Sequence, residues 1–229
     1  MLTEAYRPAT FADVVGQGKT VRQIALIRKR SGLGGKSFFL SGQSGTGKTT
    51  IARLIAREIA SELAIVEVNA REVDLEFIRD MERDFRFHAV AADGEPTGRA
   101  WILNEAHLLR GPIISRLLTT LEPGNVPPHC VVIFTTTTDG QESLFEDYAD
   151  ASPLLSRCLR LDLSRRGLAD VFAQRLLDIC HAEGLVRPTL KQCKDCLQEK
   201  RNNLRAAIQD AEAGRFIECD DALALAAVA

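Results

Sequence analysis

The sequence predicts an α/β fold: a parallel sheet flanked by helices over residues 1–163, a small all-helical domain over 164–215, and a tail at 216–229. Three observations carry this prediction. Short runs of consecutive apolar residues at 38–40, 65–68, 101–103, 131–134 and 159–161 are separated by helix-length segments. Continuous rather than alternating runs mark strands covered on both faces, which is how parallel sheets are buried. A glycine-rich loop sits where the first run gives way to a helical segment, and after Leu163 the strand-like runs cease.

In chain order, the segment at 19–31 is helical and Phe38-Phe39-Leu40 is the first strand. A helix at 48–61 follows the glycine loop and opens with Ile51-Ala52-Arg53-Leu54-Ile55-Ala56. Helices at 75–87 and 113–121 alternate with the next strands, and Ala92-Asp93-Gly94-Glu95-Pro96-Thr97-Gly98 reads as a surface turn. Beyond 163, Leu168, Val171, Phe172, Leu176 and Ile179 recur at helical spacing, followed by Leu190, Cys193 and Leu197, then Leu204, Ile208 and Ala211. Ser164, a helix-capping residue type, marks the boundary.

A chain of 229 residues holds one sizeable core or one core plus a small lid. Lys+Arg 29 against Asp+Glu 31 gives a net charge of −2, so any nucleic-acid contact has to come from a local basic face. The opening residues lack a basic region followed by an apolar core, and no apolar run approaches the roughly 20 residues needed to cross a bilayer. The expected location is the cytoplasm, with no membrane partner. Cys130, Cys158, Cys180, Cys193, Cys196 and Cys219 are scattered, so reduced thiols are expected. Cys193 and Cys196, with Cys180 and His181 upstream, raise a zinc reading. A structural zinc site normally has a second tight ligand pair, and buried cysteine as a small apolar residue is the expectation.

The loop Gly42-Gln43-Ser44-Gly45-Thr46-Gly47-Lys48-Thr49, continuing into Thr50, carries the chemistry. Its glycines let the backbone turn tightly with N–H groups pointing inward at the positive end of a helix dipole, which makes a cradle for a nucleoside triphosphate. Lys48 is expected to reach the β- and γ-phosphates of ATP, and the Thr49 hydroxyl to be one ligand of a Mg²⁺ bridging them. Asn104 and Glu105 directly follow the apolar run at 101–103, at the strand end where parallel sheets bind ligands. Glu105 is placed to orient and polarise a water for attack on the γ-phosphate, the alternative being a solvated glutamate.

Tyr6-Arg7-Pro8-Ala9-Thr10-Phe11-Ala12-Asp13-Val14-Val15-Gly16-Gln17, the glycine loop, Asn104-Glu105-Ala106-His107 and Leu155-Ser156-Arg157-Cys158 arrive in the order of the signature of AAA+ sliding-clamp loaders. The chain resembles that family from Tyr6 to Arg215, and Val66-Glu67-Val68-Asn69-Ala70 resembles a segment of replication factor C small subunits. The resemblance implies a P-loop AAA+ sheet with a helical lid. It implies that Arg7, Val14, Val15 and Gly16 border the adenine. Thr137, or its neighbour Thr136, becomes the first sensor and Arg205 the second. Arg157 becomes an arginine finger that serves the nucleotide of a neighbouring subunit, where a guanidinium stabilises transition-state charge; the alternative is pairing with a nearby carboxylate such as Asp162. Implied partners are other clamp-loader-like AAA+ subunits in a homo- or hetero-oligomer, a sliding clamp, and primer-template DNA through its backbone. Arg79, Arg83 and Arg86, on one helix face, are the candidate DNA contacts.

Four departures from the family qualify that picture. Asn104 stands where the family has aspartate; its amide keeps an oxygen for a magnesium-bound water but loses the charge, so slow hydrolysis is expected and Asn104→Asp should raise it. Asp139, Glu142, Glu146, Asp147 and Asp150 form an acidic link expected to select a partner. The four-cysteine insertion of gamma-type bacterial relatives is absent, and the helical collar domain does not follow the lid, so a less stable ring is expected. The reading is an ATP-hydrolysing clamp-loader-like subunit in DNA replication. The alternatives are a nucleotide-binding switch subunit with little hydrolysis, or another AAA+ DNA-remodelling protein.

Overall fold

The computed structural model describes residues 1–137, 151–185 and 188–217. Strands β1 (Lys36–Gly42), β2 (Ile65–Asn69), β3 (Arg99–Asn104), β4 (Cys130–Thr137) and β5 (Leu159–Leu163) form one parallel sheet in the order β2-β3-β4-β1-β5. The helices are α1 (Leu2–Ala5), α2 (Gly18–Ser31), α3 (Lys48–Arg57), α4 (Leu75–Asp84), α5 (Gly111–Thr120), α6 (Ala151–Ser156), α7 (Ala169–Ala182), α8 (Leu190–Glu199) and α9 (Leu204–Glu212). The α/β fold with a C-terminal helical region is therefore as the apolar runs predict. Cover on both faces holds only for the inner strands β1, β3 and β4. The edge strands β2 and β5 expose much of their length, because an edge strand has a neighbour on one side only.

The chain divides into two compact units. The sheet unit comprises Thr10–Ala12 and Gln17–Ser164. Its core includes Phe39, Ile78, Met81, Trp101, Leu103, Leu117 and Phe134, and Phe85 meets Trp101 edge-on with ring centroids 5.3 Å apart. Truncating a fully buried leucine such as Leu117 to alanine typically costs about 2–5 kcal/mol. Helix α3 packs on β3 and β4, and α4 packs on α5.

Two helices of this unit stop short of their expected ends. Helix α3 ends at Arg57 because Ile59 and Ala60 pair with the 97–98 segment: Gly98 N–H donates to the Ile59 carbonyl at 3.0 Å, and Ala60 bridges Thr97. Helix α4 ends at Asp84, with Phe85 closing it, so Arg86 lies beyond the helix and the expected three-arginine face is broken. Arg79, Arg83 and Arg86 are all exposed, and Arg83 pairs with Asp80 at 3.0 Å.

The helical unit comprises Met1–Ala9, Asp13–Gly16 and the chain from Arg165 onward. Phe172, Leu176, Ile179, Cys180, Cys193, Cys196, Leu197, Ala207, Ile208 and Ala211 form its core. Chain order and pattern assign residues 1–16 to the sheet. The first residues nevertheless group with the helices because Leu2, Tyr6 and Val15 pack against this core, and Tyr6 donates to Glu183 at 2.7 Å. Val171, expected in the core, is instead 47% exposed. Helix α7 begins at Ala169 with Leu168 at its N-cap and no side-chain cap, so Ser164 is not the residue that caps it. Helix α8 opens with a capping box, Thr189 and Gln192 each bonding the other's main chain, and Asn203 caps α9.

The described cysteines are free thiols. Burial, with Cys180 and Cys196 nearby, pushes the Cys193 thiol up to about 12. Cys180, Cys193 and Cys196 are buried in the core of the helical unit, and among the described residues no group of three His, Cys, Asp or Glu is arranged to hold a metal. No described helix is long and apolar enough to cross a membrane. The acidic link at Asp139, Glu142, Glu146, Asp147 and Asp150, together with Cys219, lies outside the described residues.

Candidate functional site

β1 delivers the chain to the carboxyl edge of the sheet at Gly42, which lies level with Thr137 of β4 and Leu163 of β5. A Cβ at Gly42 would come within 2.5 Å of the Leu163 carbonyl, so only glycine fits between those strands. At Gly47, φ is +96° in open space, so the left-handed backbone alone demands glycine as it turns into α3. The Thr46 hydroxyl donates to the Gln43 carbonyl at 2.8 Å and braces the turn. Lys48 is 7% exposed; its ammonium folds over the loop and donates to the carbonyls of Gly42 at 2.8 Å and Gln43 at 3.0 Å. The leading N–H groups of α3 have no intrahelical partner and carry the positive end of the helix dipole.

Thr49 and Thr50 follow on the first turn, half-buried, as are Ser44 and Gly45, while Gln43 is exposed. A buried ammonium inside a glycine loop at a helix N-terminus suits a polyphosphate, and the residues present fit ATP on that ground. Gln17 holds the loop from below, donating to the carbonyls of Thr46 at 3.3 Å and Ser164 at 2.9 Å.

Beside the loop, three consecutive threonines of β4 each engage one polar residue at or just past the end of β3. The Thr135 hydroxyl donates to Asn104 Oδ1 at 2.8 Å. Thr136 Oγ1 lies 3.1 Å from His107 Nδ1. The Thr137 hydroxyl donates to Glu105 Oε1 at 3.1 Å. Glu105 itself has a left-handed backbone, φ 56° and ψ 49°, a conformation costing on the order of 1 kcal/mol for a residue with a Cβ. The structure thus separates the two sensor candidates: Thr137 reaches Glu105 and Thr136 reaches His107.

Asn104 is held from its other side too. Its Nδ2 donates to Glu67 Oε1 at 2.8 Å, and Arg53 Nε of α3 donates to Glu67 Oε2 at 2.6 Å. A carboxylate only accepts, so the amide nitrogen must face Glu67 and the oxygen must face Thr135. That oxygen keeps a second lone pair for a water. Thr135, Glu67, Gln17 and His107 were given no role by sequence reasoning. The Thr135-Thr136-Thr137 run, β-branched and hydroxyl-bearing at the end of a buried strand, was the available signal.

Arg157 is three-quarters buried. Its Nη1 donates to the Pro153 carbonyl at 2.9 Å and its Nη2 stands 3.7 Å from Glu122 Oε1. Glu122, not Asp162, is thus its carboxylate neighbour, since Asp162 on β5 accepts from the Ser41 hydroxyl. Arg7, Val14, Val15, Gly16 and Arg205 belong to the helical unit. Arg7 pairs with Glu4, and a Cβ at Gly16 would meet Leu168 at 2.8 Å. Arg205 is exposed on the first turn of α9.

Residues 38–160 match the family model for the ATPase family associated with various cellular activities (AAA). The chain is similar to DNA polymerase III subunit tau of Bacillus subtilis (strain 168), 29% identical over 185 residues that cover 72% of this chain and 31% of that protein. The Escherichia coli (strain K12) tau subunit is 30% identical over 186 residues, 71% of this chain and 27% of that protein. The replication factor C large subunit of Methanocella arvoryzae is 29% identical over 217 residues, 92% of this chain and 36% of that protein. The chain therefore spans about a third of the length of these relatives. Among solved structures, a point mutant of Thermotoga maritima RuvB matches with a TM-score of 0.68 at 19% identity, over 91% of this chain and 65% of that one, a likeness of fold.

Proposed function

The chain belongs to the ATPase family associated with various cellular activities, and from that premise we propose that it binds MgATP in the Gly42 to Thr50 loop, hydrolyses it slowly, and works as a clamp-loader-like subunit in DNA replication. The observation that carries this reading is the placement of Glu105. One oxygen of its carboxylate is held by Thr137, and Thr137 is level with Gly42, where the Lys48 ammonium is anchored. A carboxylate held beside a phosphate cradle is what positioning a water for in-line attack requires.

In this reading Lys48 bonds the terminal phosphates and Glu105 orients the attacking water. Thr137 senses the γ-phosphate through the hydroxyl it shares with Glu105. Thr49 and, through water, Asn104 would hold Mg²⁺, which supplies charge neutralisation along the phosphates when bound. The adenine border at Arg7, Val14, Val15 and Gly16, the second sensor at Arg205 and the trans finger at Arg157 rest on the resemblance to clamp loaders. So do the partners: other AAA+ subunits, a sliding clamp and primer-template DNA.

One observation favours a second reading, a nucleotide-held switch with little turnover. Both ends of the Asn104 amide are committed, to Thr135 and to Glu67, and it brings no charge to the metal. ATP turnover with and without primed DNA, for the parent, Lys48→Ala and Glu105→Gln, separates the two. The ATPase reading expects weak DNA-stimulated turnover that both substitutions abolish, with ATP binding lost only in Lys48→Ala. Flat turnover across all three with ATP still bound by the parent leaves the switch.

A further inference from the structure

Successive side chains on a strand point to opposite faces, so Thr136 reaches out on the face away from Thr135 and Thr137. It is 2% exposed, and its partner is His107 Nδ1 at 3.1 Å. The same ring nitrogen stands 3.5 Å from Glu105 Oε2, the carboxylate oxygen that Thr137 leaves free. We infer that His107 is a positioning residue for Glu105, holding Oε2 while Thr137 holds Oε1, with Thr136 setting the ring. The inference deepens the ATPase reading and rests on it.

A carboxylate gripped at one oxygen by one hydroxyl rotates about its last side-chain bond, whereas a donor on the second oxygen stops that rotation. The backbone gives Glu105 little help, because its left-handed conformation lies outside any helix or strand. His107 has a firm base: it sits in the short turn Ala106–Leu108, next to the fully buried Ala106, and that turn packs on β4. At 3.5 Å the contact is a close polar approach, longer than a hydrogen bond; because the carboxylate only accepts, a grip on Oε2 requires the imidazole proton on Nδ1, which faces both Thr136 Oγ1 and Glu105 Oε2. A catalytic group misplaced by about 1 Å can lose on the order of 10²-fold in rate.

Two measurements test this. The first is turnover beside the affinity for a fluorescent ATP analogue. Removing the donor in His107→Phe, which keeps a ring of similar bulk, lowers kcat by roughly 10- to 100-fold with affinity unchanged. His107→Asn places an amide N–H where Nδ1 was and recovers most of the rate. The second uses nucleotide-free protein with ¹⁵N-labelled histidine, assigning His107 by its loss in His107→Asn; the Nδ1–H tautomer is expected. Three results overturn the inference: parental kcat in His107→Phe, an equal loss of affinity and kcat, or the Nε2–H tautomer. Glu105→Gln tells the two failures apart. If it abolishes turnover while His107→Phe does not, only the positioning role falls; if it leaves turnover intact, the role given to Glu105 falls and takes this one with it; if the parent itself shows no turnover, the ATPase reading falls.

Discussion

Replacing Thr135 by valine isolates one tooth of the threonine comb. Thr135 is 2% exposed, and its hydroxyl donates to Asn104 Oδ1 at 2.8 Å. Valine keeps the branched shape and the strand preference, so neither packing nor propensity is lost. A net hydrogen bond is worth about 1 kcal/mol, and an acceptor stripped of its partner costs up to about 1–3 kcal/mol when buried. Asn104 is half-buried and reaches water in part, which favours the lower end, a total of about 1–2 kcal/mol. For a chain of 229 residues each kcal/mol moves Tm by about 2–4 °C, so Thr135→Val should melt about 2–8 °C below the parent. Thermal melts followed by circular dichroism, run with Asn104→Ala and the double variant, close the cycle. The pair should show a coupling of at least about 0.5 kcal/mol. A Tm within a degree of the parent, or additive single effects, would refute the argument that this hydroxyl orients Asn104.

Three other outcomes follow from the same structure. In Asn104→Asp a carboxylate replaces the amide that now donates to Glu67 at 2.8 Å, and the like charge raises a carboxyl above its unfolded value. Relative to the parent, stability is then kept below about pH 4 and lost as pH climbs toward neutrality; a difference constant with pH would count against the contact. His129 lies below its ordinary value because burial and then the stacked His88 ring disfavour its charge, against main-chain bonds at Phe85 and Phe87. The unfolded chain therefore takes the proton first, so this contribution is complete above about pH 6.5 and fades as pH falls; melts from pH 7.5 to 5 should drop less steeply in His129→Gln than in the parent. In Gly98→Ala the new methyl would meet the carbonyls of His129 at 2.2 Å and Ile59 at 2.4 Å, both main chain. A loss of about 3 kcal/mol by urea titration is expected, and an unchanged midpoint would show that the 97–98 junction yields.

The apolar runs located every strand, because burial between neighbours needs unbroken hydrophobic stretches whatever the ends do. The ends were not legible: β4 continues three threonines past Phe134, since hydrogen bonding to β1 carries it to the Gly42 level. Helix α3 stopped early for a reason forty residues away, the pairing of Ile59 and Ala60 with Thr97 and Gly98, which no local pattern encodes. The place of the glycine loop between β1 and α3, and of Asn104-Glu105 at the end of β3, could be read because each directly follows an apolar run. Glu67 was silent because it lies 37 residues from Asn104 in sequence and meets it only through the pairing of β2 with β3.

Threonine is the residue that allows a strand and an oriented polar cluster to occupy the same positions. Its branched Cβ suits a buried strand as valine does, and its hydroxyl donates or accepts a hydrogen bond without bringing a charge that burial would penalise. Thr135 and Thr136 are each 2% exposed, so each hydroxyl needs a partner, and Asn104 and His107 supply those partners. The bonds therefore act in both directions. They satisfy the end of β4 and hold the three polar side chains at and just past the end of β3, and serine, lacking the methyl, would leave the strand end less well packed. It follows that Thr136→Ser should cost less turnover than Thr136→Val even though valine is the better strand former, because the ring of His107 is set by the oxygen and not by the shape.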